Sequence, residues 1–497
     1  PNTAGTYYYQ CGNHAGMLGT ITVSATTTID LSAGNIITFN QTANTTVSFA
    51  NTSEAMSVTL IRDKDDTNTA RTITWPDSVK WNGGSAPTLI SNSLSGDKQQ
   101  FQFLTRDSGV TWYAWESYKL DELSGDLFVW GSNYRYGELG QGDRGVSRYS
   151  SPVQLPGTWN HSGNTAAWGY QSWGTKTDGT LWTWGNNEEG GLGLNDAADR
   201  SSPTQVGTDT TWSDMIQAGS SLAGFRATAA VKTDGTLWTW GRAFRGTLGL
   251  NQPGDGSNLS SPTQVGTDTT WNTAVDTMGG GENRYQAIKT DGTLWYWGYG
   301  GYGEFGNNFS SPAPTFFSSP TQIPGTTWSN IAVGRYITSA TKTDGTLWSM
   351  GYGGYGSFGV NNTTKYSSPV QIPGTWATGE GKIAGAVNCQ FQINTDGELW
   401  TAGWNLYGML GQNEQGIPTS YSSPVQIPGT WSQIAATAYS AVAIKTDGTL
   451  WAWGYGDEGE IGNDSNVHRS SPTQVGSGTD WTRVGSSQYA NFAIRAV

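Results

Sequence analysis

The stretch KTDGTLWTWG, residues 176–185, decides the fold of this protein. Asp178 and Gly179 are typical of a two-residue β-hairpin of type I′, a turn that needs a positive φ at both central positions. In the TLWTWG half, side chains alternate between the two faces of a strand, so Trp182 and Trp184 share one face. The stretch therefore predicts a hairpin whose second strand carries two tryptophans.

The same signature recurs throughout the last three quarters of the chain, and a second marker recurs with it. Both markers indicate seven consecutive units of 51 to 57 residues. The residue before the strand-ending glycine is Trp130, Trp184, Trp240, Trp297, Met350, Ala402 and Trp453. The second marker, Ser-Ser-Pro followed by Thr or Val and then Gln, begins at Ser150, Ser201, Ser260, Ser318, Ser367, Ser422 and Ser470.

Each unit contains a small antiparallel sheet that cannot bury both of its faces alone. Seven such sheets packed around an axis bury them and leave no long open edge. The first unit lacks the strand that precedes the hairpin, and the chain ends in such a strand, YANFAIRAV at 489–497. We therefore expect an all-β protein with a seven-bladed β-propeller over residues 119–497, closed by the last strand beside Phe128.

The unit also contains a Gly-x-Leu-Gly loop end, as in GGLG at Gly190, GTLG at Gly246 and GMLG at Gly408. With this loop, residues 124–497 resemble the regulator of chromosome condensation family of seven-bladed propellers. The resemblance implies nucleotide exchange on a small GTPase docked to chromatin. This chain departs from the family in its acidic balance and its lack of a basic tail, so we expect the family architecture without the exchange activity.

Residues 24–118 show no repeat marker but alternate polar and apolar residues over about seven segments. This pattern predicts a small antiparallel β-sandwich. The closing stretches, WNGGSAPTL from Trp81 and FQFLTRDSGVTWYAW from Phe101, resemble β modules of phage tail and fibre proteins.

Residues 1–23 form a predicted strand pair around Cys11, His14 and Met17. A thiolate, an imidazole and a thioether are three of the four ligands of a type I copper centre. The stretch resembles the last two strands of plastocyanin-like cupredoxins, but the second imidazole is missing. We expect a structural remnant that attaches the chain to neighbouring subunits, with copper binding only if sequence before Pro1 completes the site.

The composition argues against several functions. A formal net charge of −13 and a pI near 4.7 disfavour nucleic acid as a partner. No apolar run is long enough for a membrane span. With three histidines and two cysteines, Cys11 and Cys389, a catalytic triad is hard to assemble and a disulfide is not expected. We therefore predict a protein that is not an enzyme and has no cofactor.

A candidate ligand-binding rim follows the Trp-Gly position of the repeats. Aromatic side chains recur there, where the repeat geometry brings them to one rim able to stack on sugars or anchor a protein. The alternative is that they pack on adjacent blades, whereas Trp182 and Trp238 are expected in the core. The rim residues are Tyr134, Tyr136, Phe244, Tyr299, Tyr302, Tyr352, Tyr355, Trp404, Tyr407 and Tyr455.

These features lead to a functional prediction: a noncatalytic structural or adhesive surface protein, namely a phage tail fibre, spike or appendage subunit. One alternative is a secreted bacterial surface or filament protein with the propeller as scaffold. Another is a copper-binding electron-transfer protein. The predicted partners are a host-surface glycan or protein and further virion or filament subunits, in a homo-oligomer at the virion surface or outside the cell.

Overall fold

The computed structural model divides the chain into two compact units, Pro1–Ser124 with Val497, and Gly125–Ala496. It describes residues 5–10, 18–23, 26–30, 36–41, 45–50, 56–64, 73–81, 98–105, 111–119, 125–133, 136–145, 148–164, 170–220, 226–252, 256–308, 316–414, 420–436, 438–486 and 489–496. The described residues of both units are almost entirely β-strand, turn and loop, and the only helical element among them is a single 3-10 turn at Leu406–Gly408. None of the described segments is a helix with the length and apolar character needed to cross a membrane.

The strands of the first unit are β1 (Gly5–Gln10), β2 (Leu18–Val23), β3 (Thr26–Asp30), β4 (Ile36–Gln41), β5 (Thr45–Ala50), β6 (Met56–Lys64), β7 (Ile73–Thr74), β8 (Val79–Trp81), β9 (Lys98–Thr105) and β10 (Trp112–Lys119). They form a seven-stranded and a three-stranded sheet, with strand orders β2-β1-β4-β6-β9-β10-β8 and β3-β5-β7. From β3 to β7 the chain alternates between the two sheets.

Because of this alternation, some neighbouring strands are parallel where the sequence predicted an antiparallel sandwich. Two successive strands of the same sheet are separated by a strand of the other sheet and run in the same direction, so β4 pairs parallel with β6, and β3 with β5. The antiparallel order expected from sequence holds for β1 with β2 and for β6 with β9. An alternating hydrophobic pattern shows which face of a strand is buried but carries no information on its direction.

The second unit consists of seven four-stranded blades. Its strands are β11 (Gly125–Ser132), β12 (Arg148–Asn164), β13 (Gln171–Lys176), β14 (Leu181–Gly185), β15 (Arg200–Gln205), β16 (Trp212–Ser220), β17 (Arg226–Lys232), β18 (Leu237–Gly241), β19 (Leu259–Gln264), β20 (Met278–Gly281), β21 (Arg284–Ile288), β22 (Leu294–Tyr299), β23 (Phe316–Ile323), β24 (Trp328–Val333), β25 (Ile337–Lys342), β26 (Leu347–Gly351), β27 (Tyr366–Ile372), β28 (Ile383–Gly385), β29 (Cys389–Ile393), β30 (Leu399–Gly403), β31 (Tyr421–Ile427), β32 (Trp431–Ala436), β33 (Ser440–Lys445), β34 (Leu450–Gly454), β35 (Arg469–Gln474), β36 (Trp481–Ser486) and β37 (Ala490–Ala496).

The blades are numbered around a closed ring. Blade 1 is β36, β37, β11 and the first half of β12, while blade 2 is the second half of β12 with β13, β14 and β15. Blades 3 to 7 take four consecutive strands each, from β16 to β35. The first strand of every blade contacts the first strand of the next, and β36 contacts β12. These first strands therefore surround the axis and close the ring.

Strand β37 closes the propeller as the sequence predicted. It pairs antiparallel with both β36 and β11, and Phe128 stands opposite Ala493 in the ladder. The first blade is thus built from both ends of the unit, and its closure is noncovalent. The fourth, outermost strand of each blade contains the proline of the Ser-Ser-Pro marker, such as Pro203, which suits an edge strand because proline has no N–H for a ladder bond.

The hairpin of the KTDGT signature is not the predicted type I′ turn. Gly179 has φ +78°, but Asp178 is not among the residues with positive φ. The Gly179 N–H donates to the Lys176 carbonyl, and the Lys176 N–H donates to the Thr180 carbonyl. This is a three-residue loop, a turn followed by a left-handed glycine. The Asp178 carboxylate accepts bonds from the N–H and hydroxyl of Thr180, which stabilise this loop and lower the pKa of Asp178.

Tryptophans of the Trp-Gly position join neighbouring blades. Trp240 and Trp453 are fully buried, and their indole N–H groups donate to the carbonyls of Gly191 and Met409 in the preceding blades. The acceptor is always the second residue of the Gly-x-Leu-Gly loop. The same bond is made by Trp130, Trp184 and Trp297.

The Gly-x-Leu-Gly loop of one blade also meets the Ser-Ser-Pro strand of the next blade. A Cβ on Gly356, the first glycine of a Gly-x-Leu-Gly loop, would lie 2.4 Å from the Cα of Ser422, the first serine of the next blade's marker. Asn361, five residues after Gly356, has φ +58° and donates its N–H to the Ser422 carbonyl. Only glycine fits at such a close approach. The contact between these two segments therefore explains why both the Gly-x-Leu-Gly loop and the Ser-Ser-Pro strand recur in the repeat.

Tryptophans at the first position of the Trp-x-Trp pattern, expected in the core, pack against the core clusters without being fully buried. Trp182 and Trp238 are half-buried, and the ammonium of Lys176 stands 3.7 Å from the ring centre of Trp182. The indole N–H of Trp182 donates to the Thr180 hydroxyl. The KTDGTLW signature therefore encodes a cation–π contact on the hairpin face, which we call the lower face.

A segment of blade 6 crosses the lower end of the axis. The Gly381 N–H donates to a carboxylate oxygen of Asp276 in blade 4 at 2.7 Å. Glu380 forms an ion pair with Arg483 of blade 1 at 3.2 Å, and the Gly379 N–H donates to Asn330 of blade 5. Residues 379–381 thus tie together blades on both sides of their own.

Candidate binding face

The loops after the Trp-Gly position lie on one face of the propeller, which we call the upper face. Each loop follows the third strand of its blade and stands beside the start of the second, as the pairing of Gly298 with Arg284 shows. The residue that directly precedes the Gly-x-Leu-Gly loop occupies an equivalent place in every blade. These seven residues are Tyr136, Glu189, Arg245, Tyr302, Tyr355, Tyr407 and Glu458.

A first aromatic cluster on this face consists of Tyr302, Tyr336 and Tyr352. The ring centre of Tyr302 lies 5.0 Å from that of Tyr336 and 6.0 Å from that of Tyr352, both in edge-to-face geometry. Tyr302 remains 41% exposed. Burial, together with the Glu282 charge, raises the pKa of Tyr336 to about 12, so this hydroxyl stays protonated at neutral pH.

A second aromatic cluster consists of Tyr407, Tyr439, Tyr455 and His468. Tyr407 contacts Tyr439 at 5.6 Å, Tyr455 at 5.0 Å and His468 at 4.9 Å between ring centres. The His468 Nδ1 accepts the N–H of Gly456 at 3.1 Å, which fixes the imidazole ring. Burial raises the pKa of Tyr455, with the charge of Asp457 as the next cause.

The remaining predicted rim residues also make aromatic or cation contacts. Tyr355 stacks on Trp404 at 5.3 Å, and Tyr136 packs against Tyr170 at 5.2 Å. The rings of Phe244 and Tyr299 both contact a neighbouring arginine side chain. These rings pack between blades while keeping part of their surface open, and ligand binding at the rim stays a prediction. Tyr134 lies outside the residues that the structure describes.

Sequence reasoning missed a second set of tyrosines, which contact the predicted rim residues and complete the aromatic clusters. Each of them directly precedes the second strand of its blade and lies six residues before a Lys or Arg near the end of that strand. This fixed distance is a signal that the sequence contains. The missed residues are Tyr170, Tyr336, Tyr439 and Tyr489.

Buried charges hold the loops of the first cluster. The Glu304 carboxylate accepts the Tyr302 N–H at 2.7 Å and lies 3.5 Å from the Arg284 guanidinium. Arg284, which is fully buried, also donates to the carbonyls of Gly334 and Arg335 in the next blade. Burial raises the pKa of Glu304 and lowers that of Arg284. These two residues position the tyrosines on both sides of the blade interface.

The predicted copper ligands Cys11, His14 and Met17 lie outside the described residues. Within the described ranges, no group of three or more His, Cys, Asp or Glu side chains could hold a metal ion. Cys389 is a free thiol in the propeller core, and burial raises its pKa to about 12. It is therefore a core side chain rather than a nucleophile.

Seven four-stranded blades, the Gly-x-Leu-Gly loops and the noncovalent closure define a propeller of the regulator of chromosome condensation type. Residues 124–493 match the RCC1-like domain, and the chain belongs to this family.

Its relatives include the ultraviolet-B receptor UVR8 of Arabidopsis thaliana, 28% identical over 306 residues, which are 59% of this chain and 65% of that receptor. The regulator of chromosome condensation of Xenopus laevis is 25% identical over 315 residues, 60% of this chain and 72% of that protein. The crystal structure of yeast RCC1 (Prp20) bound to Kap60 has the same fold, with a TM-score of 0.63, 18% identity and coverage of 76% of this chain and 90% of that one.

These relatives correct the functional prediction. They are named as a receptor and a regulator of chromosome condensation, so the predicted function as a phage tail fibre, spike or other adhesive surface protein is wrong. Their names describe neither a secreted filament protein nor a copper electron carrier. The predicted host-surface and virion partners are wrong for the same reason.

The predicted localisation at a virion surface or outside the cell is likewise contradicted by a relative named for chromosome condensation. The family match begins at residue 124. The phage-like and cupredoxin-like resemblances of residues 1–118 and the proposed domain boundaries therefore stay predictions.

Proposed function

We propose that the propeller is a noncatalytic domain that binds a protein partner through the aromatic clusters of its upper face. The observation that carries this proposal is Tyr302, a large ring that is 41% exposed although two other tyrosines contact it. Only two other large apolar side chains of the described residues, Phe316 and Val467, are comparably exposed. An exposed ring in a packed setting is typical of a binding hot spot.

Rigidity supports this role. Tyr302 is fixed through its N–H by Glu304, and Glu304 by Arg284, so little side-chain and loop entropy is lost when a partner binds. Tyrosine has few rotatable bonds and presents both an apolar ring and a polar hydroxyl, which suits contact with another protein.

The noncatalytic part of the proposal rests on how the perturbed groups are engaged. Glu304, Asp276 and Cys389 all have raised pKa values, but Glu304 and Cys389 are buried within the fold, and the half-buried Asp276 carboxylate is already engaged by the fold itself. Asp276 accepts the backbone N–H of Gly381 at the lower end of the axis. None of the three combines a shifted pKa with open access, which general acid–base catalysis requires.

Photo-crosslinking tests this function even while the partner is unidentified. Benzoylphenylalanine replaces Tyr302 in one variant and Thr326, an exposed residue beside the hairpins of the lower face, in a matched control. Both variants are irradiated in extract of the source cells. We expect a discrete protein adduct from position 302 alone, which excess wild-type protein suppresses and excess Tyr302→Ser protein does not.

Equal adducts from both positions, or none from position 302, would overturn the proposal. Circular dichroism of each variant shows whether the propeller is intact, so loss of the fold is not mistaken for loss of binding.

A further inference from the structure

Arg245 occupies the place on the upper face that tyrosine holds in four other blades. It directly precedes the Gly-x-Leu-Gly loop of blade 3, as Tyr302 does in blade 4. Its backbone has φ +49°, a left-handed conformation that costs a non-glycine residue on the order of 1 kcal/mol. Such a conformation persists only where the surrounding loop imposes it, and it fixes the direction in which the side chain leaves the loop.

The guanidinium of Arg245 stacks between two aromatic rings of the predicted rim. It lies 4.8 Å from the ring centre of Phe244 and 4.5 Å from that of Tyr299 in the next blade. A guanidinium that lies over aromatic rings keeps N–H groups available for a further partner. A planar edge of paired donors matches the geometry of a carboxylate.

Neighbouring arginines on the same face are already paired with carboxylates, whereas Arg245 is not. Arg242 lies 3.2 Å from Glu189, and Arg335 lies 2.7 Å from Glu282. Among the described residues, the Arg245 side chain forms neither a hydrogen bond nor an ion pair. In a chain of net charge −13, an unpaired guanidinium held between rings is a feature that electrostatics within the fold does not explain.

A second cation stands on the other side of the same loop. The Lys365 ammonium lies 5.8 Å from the ring centre of Tyr302 and donates to the Gly301 carbonyl at 3.3 Å. Lys365 forms no ion pair within the described residues, although its charge acts on the buried Glu304 carboxylate and opposes the rise in the pKa of Glu304. The loop from Tyr299 to Tyr302 is therefore flanked by a cation on each side, and each cation contacts one of its rings.

We infer that this sector, defined as Arg245, Tyr299, Tyr302 and Lys365, recognises an acidic segment of a protein partner. Carboxylates of the segment bind the edge of Arg245 and the ammonium of Lys365, while apolar side chains between them contact the two tyrosines. This inference rests on the proposed function and adds the chemistry of the partner to it. Arg245 is the specificity-determining residue of the sector.

The test measures fluorescence anisotropy of a labelled peptide of alternating glutamate and leucine, with alternating glutamine–leucine and lysine–leucine peptides as comparisons. We expect the wild-type protein to bind the glutamate peptide alone, with an affinity that falls as salt is added. Arg245→Gln and Lys365→Gln should each weaken binding by about tenfold, because each removes a charge-assisted hydrogen bond.

A matched control is Arg148→Gln. Arg148 is also a cation of the upper face, but it already donates to the Asp457 carbonyl and lies 3.9 Å from Glu458, so its loss should leave peptide affinity unchanged. Arg245→Lys should lose part of the affinity, because a lysine keeps the charge but not the planar edge.

Three outcomes would overturn the inference: equal binding of the glutamine peptide, equal affinity of Arg245→Gln, or displacement of the peptide by inorganic phosphate at low concentration. The last result would assign the sector to phosphate. If crosslinking from position 302 succeeds while the glutamate peptide fails, only the acidic chemistry is wrong. If both fail, the binding face itself is wrong.

Discussion

Single glycine residues show how closely neighbouring backbone segments approach each other. Gly235 of the third blade has φ +78°, and a Cβ there would lie 2.1 Å from the Thr269 carbonyl oxygen. Gly266 has a similar φ of +63° but nothing within 4 Å of its Cβ position. The two positions therefore separate the cost of the left-handed backbone from the cost of the close approach.

We expect Gly266→Ala to lower the free energy of unfolding by about 1 kcal/mol, the cost of a left-handed alanine. Gly235→Ala should cost at least about 2 kcal/mol more, since the Thr269 carbonyl must also move. Urea unfolding followed by tryptophan fluorescence measures both. Equal losses would show that the close contact is relieved by a small backbone shift.

The indole bond between blades gives a second prediction at this scale. Trp453→Phe removes the donor to the buried Met409 carbonyl and leaves a cavity, so we expect a loss of about 2–4 kcal/mol. The control Trp451→Phe alters a half-buried ring on the lower face and should cost less than about 1 kcal/mol. Similar losses at both positions, measured by urea unfolding, would contradict a special role of the interblade bond.

The contacts made by individual strands and loops explain why the same three sequence motifs recur in the repeats. The KTDGT hairpin, the Gly-x-Leu-Gly loop and the Ser-Ser-Pro strand each contact a defined partner, either within the blade or in the next one. Blades with Met350 and Ala402 at the Trp-Gly position lack the indole and so cannot make its bond. The repeat therefore tolerates a different side chain at a position where side-chain packing, rather than the conformation of the backbone, makes the contact between blades.

The closing strand β37 is the element whose loss affects the whole ring. Ala493→Pro removes an N–H from a strand that is paired on both sides, so we expect a loss of more than about 3 kcal/mol and a lower midpoint for the entire propeller. Ala493→Ser keeps the N–H at the same site and should cost much less. A proline variant that unfolds at the wild-type urea concentration would show that closure contributes little to stability.

The ionisation of a carboxylate near the propeller axis affects the stability of the whole propeller. Asp276 of blade 4 is half-buried, and the removal of its carboxylate from solvent raises its pKa to about 7 from an ordinary value of 3.8, with the Glu380 charge adding to this rise. Arg483 opposes the rise, and the Gly381 N–H, donated to the carboxylate, opposes it as well. The protonated form is therefore favoured in the folded state, and its contribution to stability is complete below pH 3.8 and lost as the pH rises through about 7.

We expect wild-type stability to fall relative to Asp276→Asn between about pH 4 and pH 7, by up to about 4 kcal/mol at about 1.36 kcal/mol per pKa unit. Unfolding of both proteins across this range measures the difference. Asp268→Asn provides a control of opposite sign, because a hydrogen bond from Lys289 lowers the Asp268 pKa to about 2. The stability that Asp268 contributes is present above pH 3.8 and lost as the pH falls through about 2.

The candidate face was predictable in part. Residues after the Trp-Gly position could be assigned to one rim, because equivalent positions of a closed repeat share a face. Tyr336 and Tyr439 were accessible to the same reasoning through their fixed distance from the hairpin lysine. The unpaired state of Arg245 was not, because whether a cation has a partner depends on which blades meet and which carboxylates reach it.

By itself the sequence determined the number of blades, the positions of their hairpins and the strand that closes the ring, because periodicity and turn residues are local and repeated. It also determined the family. The turn type was also local, since the Asp178 carboxylate accepts bonds from Thr180 two residues along, but the Asp-Gly pair alone does not separate a type I′ turn from a three-residue loop. The tertiary structure decided other features. It decided which tryptophan of each pair is buried and which cation of the upper face is unpaired, because burial and ion pairing arise between segments that are distant in the chain and meet only when the ring closes.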